Sequence, residues 1–175
     1  MAQTASEELP YREIGEYPED YRAGNVVARM VDGLGYRYYW ATEGLRPVDL
    51  DYKIDETSRS AWFTLEHIYG LSLSVANAVA EAPRQRESTK ELDFSALRRL
   101  TLENLQVASE GYRGRDAEKM GQLTLRPGSD IPFWHILNGQ LSDAIYHVGQ
   151  IVSYRRASGN PLDPKVNVFM GKNND

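Results

Sequence analysis

The sequence predicts an all-α fold, specifically a four-helix bundle, and two observations support this prediction. Four long segments repeat apolar residues every three or four positions, as one face of an α-helix does, and turn-forming residues separate them. Four such helices can bury their apolar faces only against one another. The chain has 175 residues, enough for one domain that buries roughly 70% of the surface its unfolded form would expose.

The first two predicted helices occupy the N-terminal half. The first follows Pro18 and ends near Gly44, because the proline at position 47 cannot continue the hydrogen-bond ladder. The second runs from about Thr57 to Ala82, where Pro83 stops it. The predicted core-facing residues are Val27, Met30, Val31, Leu34, Tyr38, Ala41 and Leu45 in the first helix and Ala61, Leu65, Ile68, Ser72, Val75 and Val79 in the second.

The other two helices occupy the C-terminal half. The third begins at Asp93, a plausible N-cap, and ends before Gly114. Residues 115–129 are predicted to form a loop, with a short extended piece at 122–126. The fourth starts after Asp130, tolerates a proline in its first turn and stops at 158–161. The predicted core-facing residues are Phe94, Leu97, Thr101, Leu105, Ala108 and Tyr112, then Trp134, Leu137, Leu141, Ala144, Val148 and Ile151.

Nothing in the sequence divides the chain, so we expect a single domain over residues 1–175. Its core would span about residues 20–162, with an N-terminal arm at 1–19 and a C-terminal tail at 163–175. Apolar residues between Val166 and Met170 predict that the first half of the tail packs on the helices. The last four residues are expected to be loose.

Composition and charge exclude several classes of function. The net charge of −5 disfavours nucleic-acid binding. No run of about 20 apolar residues could span a membrane, and the N-terminus lacks the pattern of a secretory signal. The absence of cysteine excludes disulfides, thiolate metal sites and a cysteine nucleophile. We therefore expect a cytoplasmic protein with no nucleic-acid or membrane partner.

Two residues of the fourth helix could bind a metal ion together. Asp143 and His147 are four positions apart, so their side chains lie on the same helical face, beside the apolar one. A third ligand must come from another helix, and His67 is the leading candidate because it adjoins the core position Ile68. His135 lies roughly 12 Å from Asp143 along the helix axis, too far to share an ion with the pair.

Spacing alone leaves other interpretations open. An aspartate and a histidine four residues apart more often form a simple hydrogen-bonded pair, and His67 could be a half-buried histidine held by a neighbour. Gln150 could support His147 or be a core amide. Arg155 and Arg156 are expected to complement the dipole at the end of their own helix, with binding of an anionic group as the alternative.

Two stretches of the sequence resemble a known family. The run DAIYHVGQ at residues 143–150, followed by an arginine pair and the exit Gly159-Asn160-Pro161, resembles the last helix of the DinB/YfiT-like superfamily, whose pattern is H-x-x-x-H-x-G-Q. The step around His67 is similar to the lone histidine of that family's second helix. The resemblance covers about residues 20–162. Asp143 stands where the family usually has a histidine.

The resemblance implies a fold and a chemistry. Family members are four-helix bundles, commonly dimeric, with a divalent metal site open to a cleft. They include thiol S-transferases, a mycothiol-dependent isomerase and proteins described as metal-dependent hydrolases. Carried over to this chain, the ligands would be His67, Asp143 and His147, and the ion Zn²⁺, Ni²⁺, Mn²⁺ or Fe²⁺. The carboxylate shifts preference towards the harder ions Mn²⁺ and Fe²⁺ and makes bound water less acidic.

The leading functional hypothesis is a homodimeric metal-dependent hydrolase or thiol S-transferase acting on a small electrophilic substrate. Any thiol would have to be brought in as a low-molecular-weight partner, because the chain has none. The sequence assigns no catalytic residue. The alternative is a metal-free structural or small-molecule-binding bundle in which Asp143 and His147 are only hydrogen-bonded.

Overall fold

The computed structural model describes residues 8–80 and 83–175, and over these residues the chain is all-α, as predicted. Its strand-like pairing there is limited to one antiparallel bridge between Thr124 and Pro132. A π-helical turn, Ile136–Leu141, leads directly into the last helix. The α-helices are α1 (Ala23–Thr42), α2 (Pro47–Leu50), α3 (Ala61–Asn77), α4 (Phe94–Tyr112), α5 (Ala117–Gly121) and α6 (Ser142–Ala157).

The four long helices pack around a shared core. Helix α1 contacts α4 and α6, and α3 contacts the same two helices, so the contacts form a closed ring. The buried side chains are mostly apolar and include Leu34, Leu65, Ile68, Leu105 and Leu141. Among the described helices, none combines the length and the hydropathy that crossing a membrane requires.

Most predicted core-facing positions of α1, α3 and α4 are buried, with Met30 as a clear exception at 45% exposure. The ends of α3 differ from the prediction. The helix starts at Ala61 because the Ser60 hydroxyl accepts a hydrogen bond from the Phe63 amide. It ends at Asn77, whose side chain bonds both backbone groups of Arg84. The predicted end at Ala82 and the first seven residues of the predicted arm lie outside the described residues.

Two short helices were missed because they are too short to show a periodic pattern. Pro47 was expected only to stop the first helix, but it also starts α2, since its fixed φ suits the first helical turn. Helix α5 interrupts the predicted loop at 115–129 and is capped by the Asp116 carboxylate, which accepts from the Lys119 amide. The predicted extended piece forms only the Thr124 bridge.

The π-helical turn corrects the predicted core face of the last helix. Trp134 was predicted to face the core but is 72% exposed, and Leu137 is only partly buried. Phe133 and Ile136 are buried instead. A π turn closes over five residues rather than four, so every buried position before Leu141 moves back by one residue. The predicted positions from Leu141 onwards are buried.

The C-terminal tail is tied down further than expected. Val166 and Val168 are half-buried, whereas Phe169 is 94% exposed. The last residues, predicted to be loose, make specific contacts: Tyr36 donates a hydrogen bond to Asn173 Oδ1 at 2.8 Å. The Ile14 amide also donates to the Gly171 carbonyl at 2.7 Å, which joins the N-terminal segment to the tail.

Deleting Asn138, an exposed residue of the π turn, should convert that turn into regular α-helix without changing the faces on either side. We expect the free energy of unfolding to fall by no more than about 1 kcal/mol, the scale of one hydrogen bond, as measured by urea denaturation. Deleting the exposed Ser153 is the control, because it rotates everything after it by about 100° and should be far more damaging. Equal losses in the two variants would contradict this account of the π turn.

Candidate metal centre

The structure brings the three predicted ligand residues together between α3 and α6. His67 lies on α3 next to the fully buried Ile68, and His147 lies on α6 next to Val148, which is 2% exposed. Asp143 precedes His147 by one turn. The side chains of His67 and Asp143 are 39% and 43% exposed and that of His147 is 20% exposed. The group therefore stands at the border between the core and solvent.

The three side chains are close enough to share one ion. His67 Nε2 lies 3.0 Å from Asp143 Oδ2, and His147 Nε2 lies 3.4 Å from Oδ1 of the same carboxylate. One potential ligand atom from each residue falls within 4.8 Å of the other two. Ligands held at about 2.0–2.2 Å from an ion lie about 3–3.6 Å apart, so only small side-chain adjustments are needed. The group can hold a divalent cation.

The second nitrogen of His147 is already engaged. His147 Nδ1 lies 2.7 Å from Gln150 Oε1, three residues further along α6. An amide oxygen can only accept, so Nδ1 must carry the proton in this contact. In a neutral ring the Nε2 lone pair is then free and points towards Asp143.

This arrangement suits a cation between His147 and Asp143. A lone pair on Nε2 and a carboxylate oxygen are both acceptors, and neither can donate to the other. Their separation of 3.4 Å is also longer than an ordinary hydrogen bond. A positive charge placed between them would satisfy both atoms, so the donor set fits a metal ion.

Two exposed aromatic residues lie near the group along its helices, and one of them, Tyr146, contacts it directly. The Tyr146 ring lies 5.3 Å from the His147 ring, centre to centre, and is 64% exposed. Phe63 precedes His67 by one turn on α3 and is 43% exposed, with the Arg59 guanidinium 4.4 Å from its ring centre. The site is therefore open to solvent and bordered by apolar surface.

One nearby residue was not singled out from the sequence as a possible ligand. Gln140 lies in the π-helical turn, three residues before Asp143, and its Oε1 atom is shielded from solvent without a hydrogen-bond partner in the described part of the chain. A buried acceptor of this kind costs free energy. Helical spacing from the sequence places Gln140 on the same face as Asp143, but the burial of its Oε1 atom is seen only in the structure. His135 is exposed and is not among the three residues whose ligand atoms converge.

The described cavities do not coincide with this group. A cavity of about 1040 Å³ lies between the N-terminal segment and the tail, lined by residues such as Tyr11, Trp40 and Asn173. A second, of about 630 Å³, lies between α1, α6 and the tail. Neither is lined by any of the three candidate ligands, so the chemistry of the side chains, rather than cavity size, identifies the site.

Arg155 fixes the position of α6 against α1. Its side chain is 5% exposed, and its Nη1 donates to the carbonyls of Trp40, Ala41 and Glu43 at 2.9–3.1 Å. These carbonyls belong to the C-terminal end of α1, where a positive charge is favoured. As expected, Arg155 also lies in the last turn of its own helix, and its Nε donates to the Asn160 carbonyl just beyond that helix at 2.6 Å. Its charge therefore serves the ends of both helices.

Asp49 completes this network from α2. Its buried carboxylate accepts hydrogen bonds from the backbone and guanidinium of Arg46, from the Ser158 hydroxyl and from the Asn160 amide. The hydrogen bonds from Arg46 hold the pKa of Asp49 well below its usual range. The end of α6 is thus joined to both α1 and α2.

No protein-family model matches the chain, and no curated protein or solved structure matches it either. The resemblance of residues 143–150 to the DinB/YfiT-like superfamily therefore stays a prediction. The interpretation of the site depends on its own geometry.

Replacing Arg155 with alanine should lower the free energy of unfolding by about 3 kcal/mol, because the carbonyls at the end of α1 lose a charged donor. The control is Arg156→Ala, which removes the same charge from an exposed neighbour and should change stability by less than about 0.5 kcal/mol. Guanidinium denaturation of both variants measures the difference. Similar losses in both would show that Arg155 does not hold the helices together.

The stabilisation from Asp49 should disappear in acid. Because its folded-state pKa is depressed, the contribution is fully present above the unfolded-state pKa of about 3.9 and is lost as the pH falls towards the folded-state value. The gap in unfolding free energy between wild type and Asp49→Asn should therefore narrow below about pH 4. Urea denaturation across pH tests this, with the exposed Asp51→Asn as control. A gap that is constant with pH would contradict the assigned role.

Proposed function

We propose that this protein is a divalent-metal-dependent enzyme of the DinB/YfiT-like type, built on a four-helix bundle. His67, Asp143 and His147 would hold Zn²⁺, Ni²⁺, Mn²⁺ or Fe²⁺. The observation that carries the proposal is the convergence of three ligand atoms, one from each residue, within 4.8 Å of one another at the edge of the core. They come from two helices that are far apart in sequence, so local spacing alone does not explain their meeting.

The reaction class we propose is hydrolysis, or thiol transfer to a small electrophile. When bound, a divalent cation would supply Lewis acidity, which lowers the pKa of a water or thiol. Three protein ligands leave room for a further group, as in catalytic zinc sites. The open border of the site admits a small substrate, and the rings of Phe63 and Tyr146 offer it apolar contact. Any thiol must arrive with the substrate, because the chain has no cysteine.

A cytoplasmic homodimer remains part of the proposal and depends on the resemblance. Helix α1 carries four clustered aromatic residues, Tyr36, Tyr38, Tyr39 and Trp40, which could have supplied a dimer interface. The tyrosines give the homodimer no support, since Tyr36 and Tyr38 are fully buried within the chain and Tyr39 is 8% exposed, whereas Trp40 is half-buried. The three tyrosine rings pack inside one protomer.

One observation favours the second candidate, a metal-free bundle that binds a small molecule. The 3.0 Å contact between His67 Nε2 and Asp143 Oδ2 is an ordinary hydrogen-bond distance and needs no metal. The hydrogen-bonded pair would then be His67 with Asp143, across two helices. The pair expected from spacing, Asp143 with His147, is the longer one at 3.4 Å.

Metal content separates the two candidates. We expect protein purified without a metal-affinity step to carry about one equivalent of a transition metal, measured by elemental analysis. Asp143→Ala should lose the metal, because only two imidazole ligands would remain and these are too few to hold the ion. The matched control is Asp51→Ala, which removes an exposed carboxylate elsewhere and should keep the metal.

Absence of metal from wild-type protein, even after reconstitution with each of the four ions, would overturn the proposal and favour the metal-free candidate. If metal is present, activity is screened with activated esters and with thiol-reactive electrophiles, each with and without added low-molecular-weight thiol. Chelator-treated protein should lose the activity and regain it with the native ion.

A further inference from the structure

We propose that Gln150 is a positioning residue that fixes His147 in the tautomer with its proton on Nδ1, so that Nε2 is ready for a cation before any cation arrives. The inference extends the proposed metal site, and it rests on the proposed function only for its consequence on metal affinity. The tautomer itself can be measured in metal-free protein.

The geometry of one turn of α6 supports this assignment. Gln150 follows His147 by three residues, a spacing at which helical side chains are neighbours. The 2.7 Å contact joins Nδ1 to an oxygen that has no proton to give. The His147 side chain is 20% exposed, so water competes less for Nδ1 than it would at the surface.

Without Gln150, the His147 ring would favour the other tautomer, with its proton on Nε2. The Asp143 carboxylate lies 3.4 Å from Nε2 and is a strong hydrogen-bond acceptor, so an N–H at Nε2 would gain a partner there. Gln150 and Asp143 thus compete to accept a hydrogen bond from the single N–H group of the neutral His147 ring. The closer contact, at 2.7 Å, belongs to Gln150.

His67 provides a contrast within the same site. Its Nε2 lies 3.0 Å from Asp143 Oδ2, a distance at which the ring donates its Nε2 proton to the carboxylate. The two histidines are therefore expected in opposite tautomers in the metal-free protein. To bind a metal through Nε2, His67 must transfer its ring proton from Nε2 to Nδ1, whereas His147 already carries its proton on Nδ1.

Three variants test the role of Gln150. Gln150→Leu removes the acceptor while keeping a side chain of similar size. Gln150→Glu keeps an acceptor oxygen and should rescue the loss. Ser153→Ala is the control on the same helix, since the Ser153 hydroxyl is exposed and, within the described part of the chain, bonds only the Gly149 carbonyl.

The first readout is the ring ¹⁵N spectrum of metal-free protein, in buffer about two pH units above the reference imidazole pKa of about 6.5. We expect His147 protonated on Nδ1 in wild type, in Gln150→Glu and in the Ser153 control. In Gln150→Leu the proton should move to Nε2. His67 should be protonated on Nε2 in all four proteins.

The second readout is metal affinity, measured by competition with a chromophoric chelator using Zn²⁺ alone. Loss of the group that orients a metal-bound histidine typically costs 10–100-fold in affinity, and we expect a loss of about that size for Gln150→Leu. Gln150→Glu should bind at least as tightly as wild type. Urea denaturation measures the stability of each variant. We expect it to be unchanged, whereas a merely structural role for Gln150 would predict a loss of stability.

The outcomes separate this inference from the proposed function. A wild-type His147 protonated on Nε2, or a tautomer that Gln150→Leu leaves unchanged, would overturn the role of Gln150 even if the protein binds metal. The expected tautomers without any Zn²⁺ binding would confirm the role of Gln150 and refute the metal site. Unchanged affinity in Gln150→Leu would refute the consequence for metal binding.

Discussion

The buried guanidinium of Arg155 is the interaction on which the geometry of the site depends. A cation inside the fold is stable here because the carbonyls at the end of α1, which lack helical donors, and the Asn160 carbonyl accept its hydrogen bonds. The hydrogen bonds from Arg155 to the α1 carbonyls hold α6 at one rotation about its axis. Arg155 follows His147 by eight residues, about 12 Å along the helix. The face that carries Asp143 and His147 is therefore held towards α3 from a distance.

Periodicity predicted the long helices well, because burying one apolar face is what makes each of them stable. It failed where a local feature changed the period. Trp134 matched a regular helix, but the π turn moved Phe133 and Ile136 into the core instead. Helices α2 and α5 escaped prediction since a turn of four or five residues shows no period, and only their caps could have revealed them.

The members of the candidate site were predictable, but their pairing was not. Spacing places Asp143 and His147 on one face, and adjacency to Ile68 places His67 at the edge of the core. Which nitrogen meets which oxygen depends on how α3 and α6 pack, and this brings His67 closer to the carboxylate than His147. The role of Gln150 was left open for the same reason, because a sequence does not show the direction of a side-chain amide.

The separation of His67 and Asp143 along the chain, 76 residues, has a consequence for the unfolded state. An ion held by both would act as a reversible cross-link that closes a long loop, and unfolding would have to break it before the chain gained its full freedom. Such an ion would stabilise the folded state as well as take part in the reaction. Substitutions at His67 or Asp143 would then change both the unfolding rate of the protein and its metal-dependent activity.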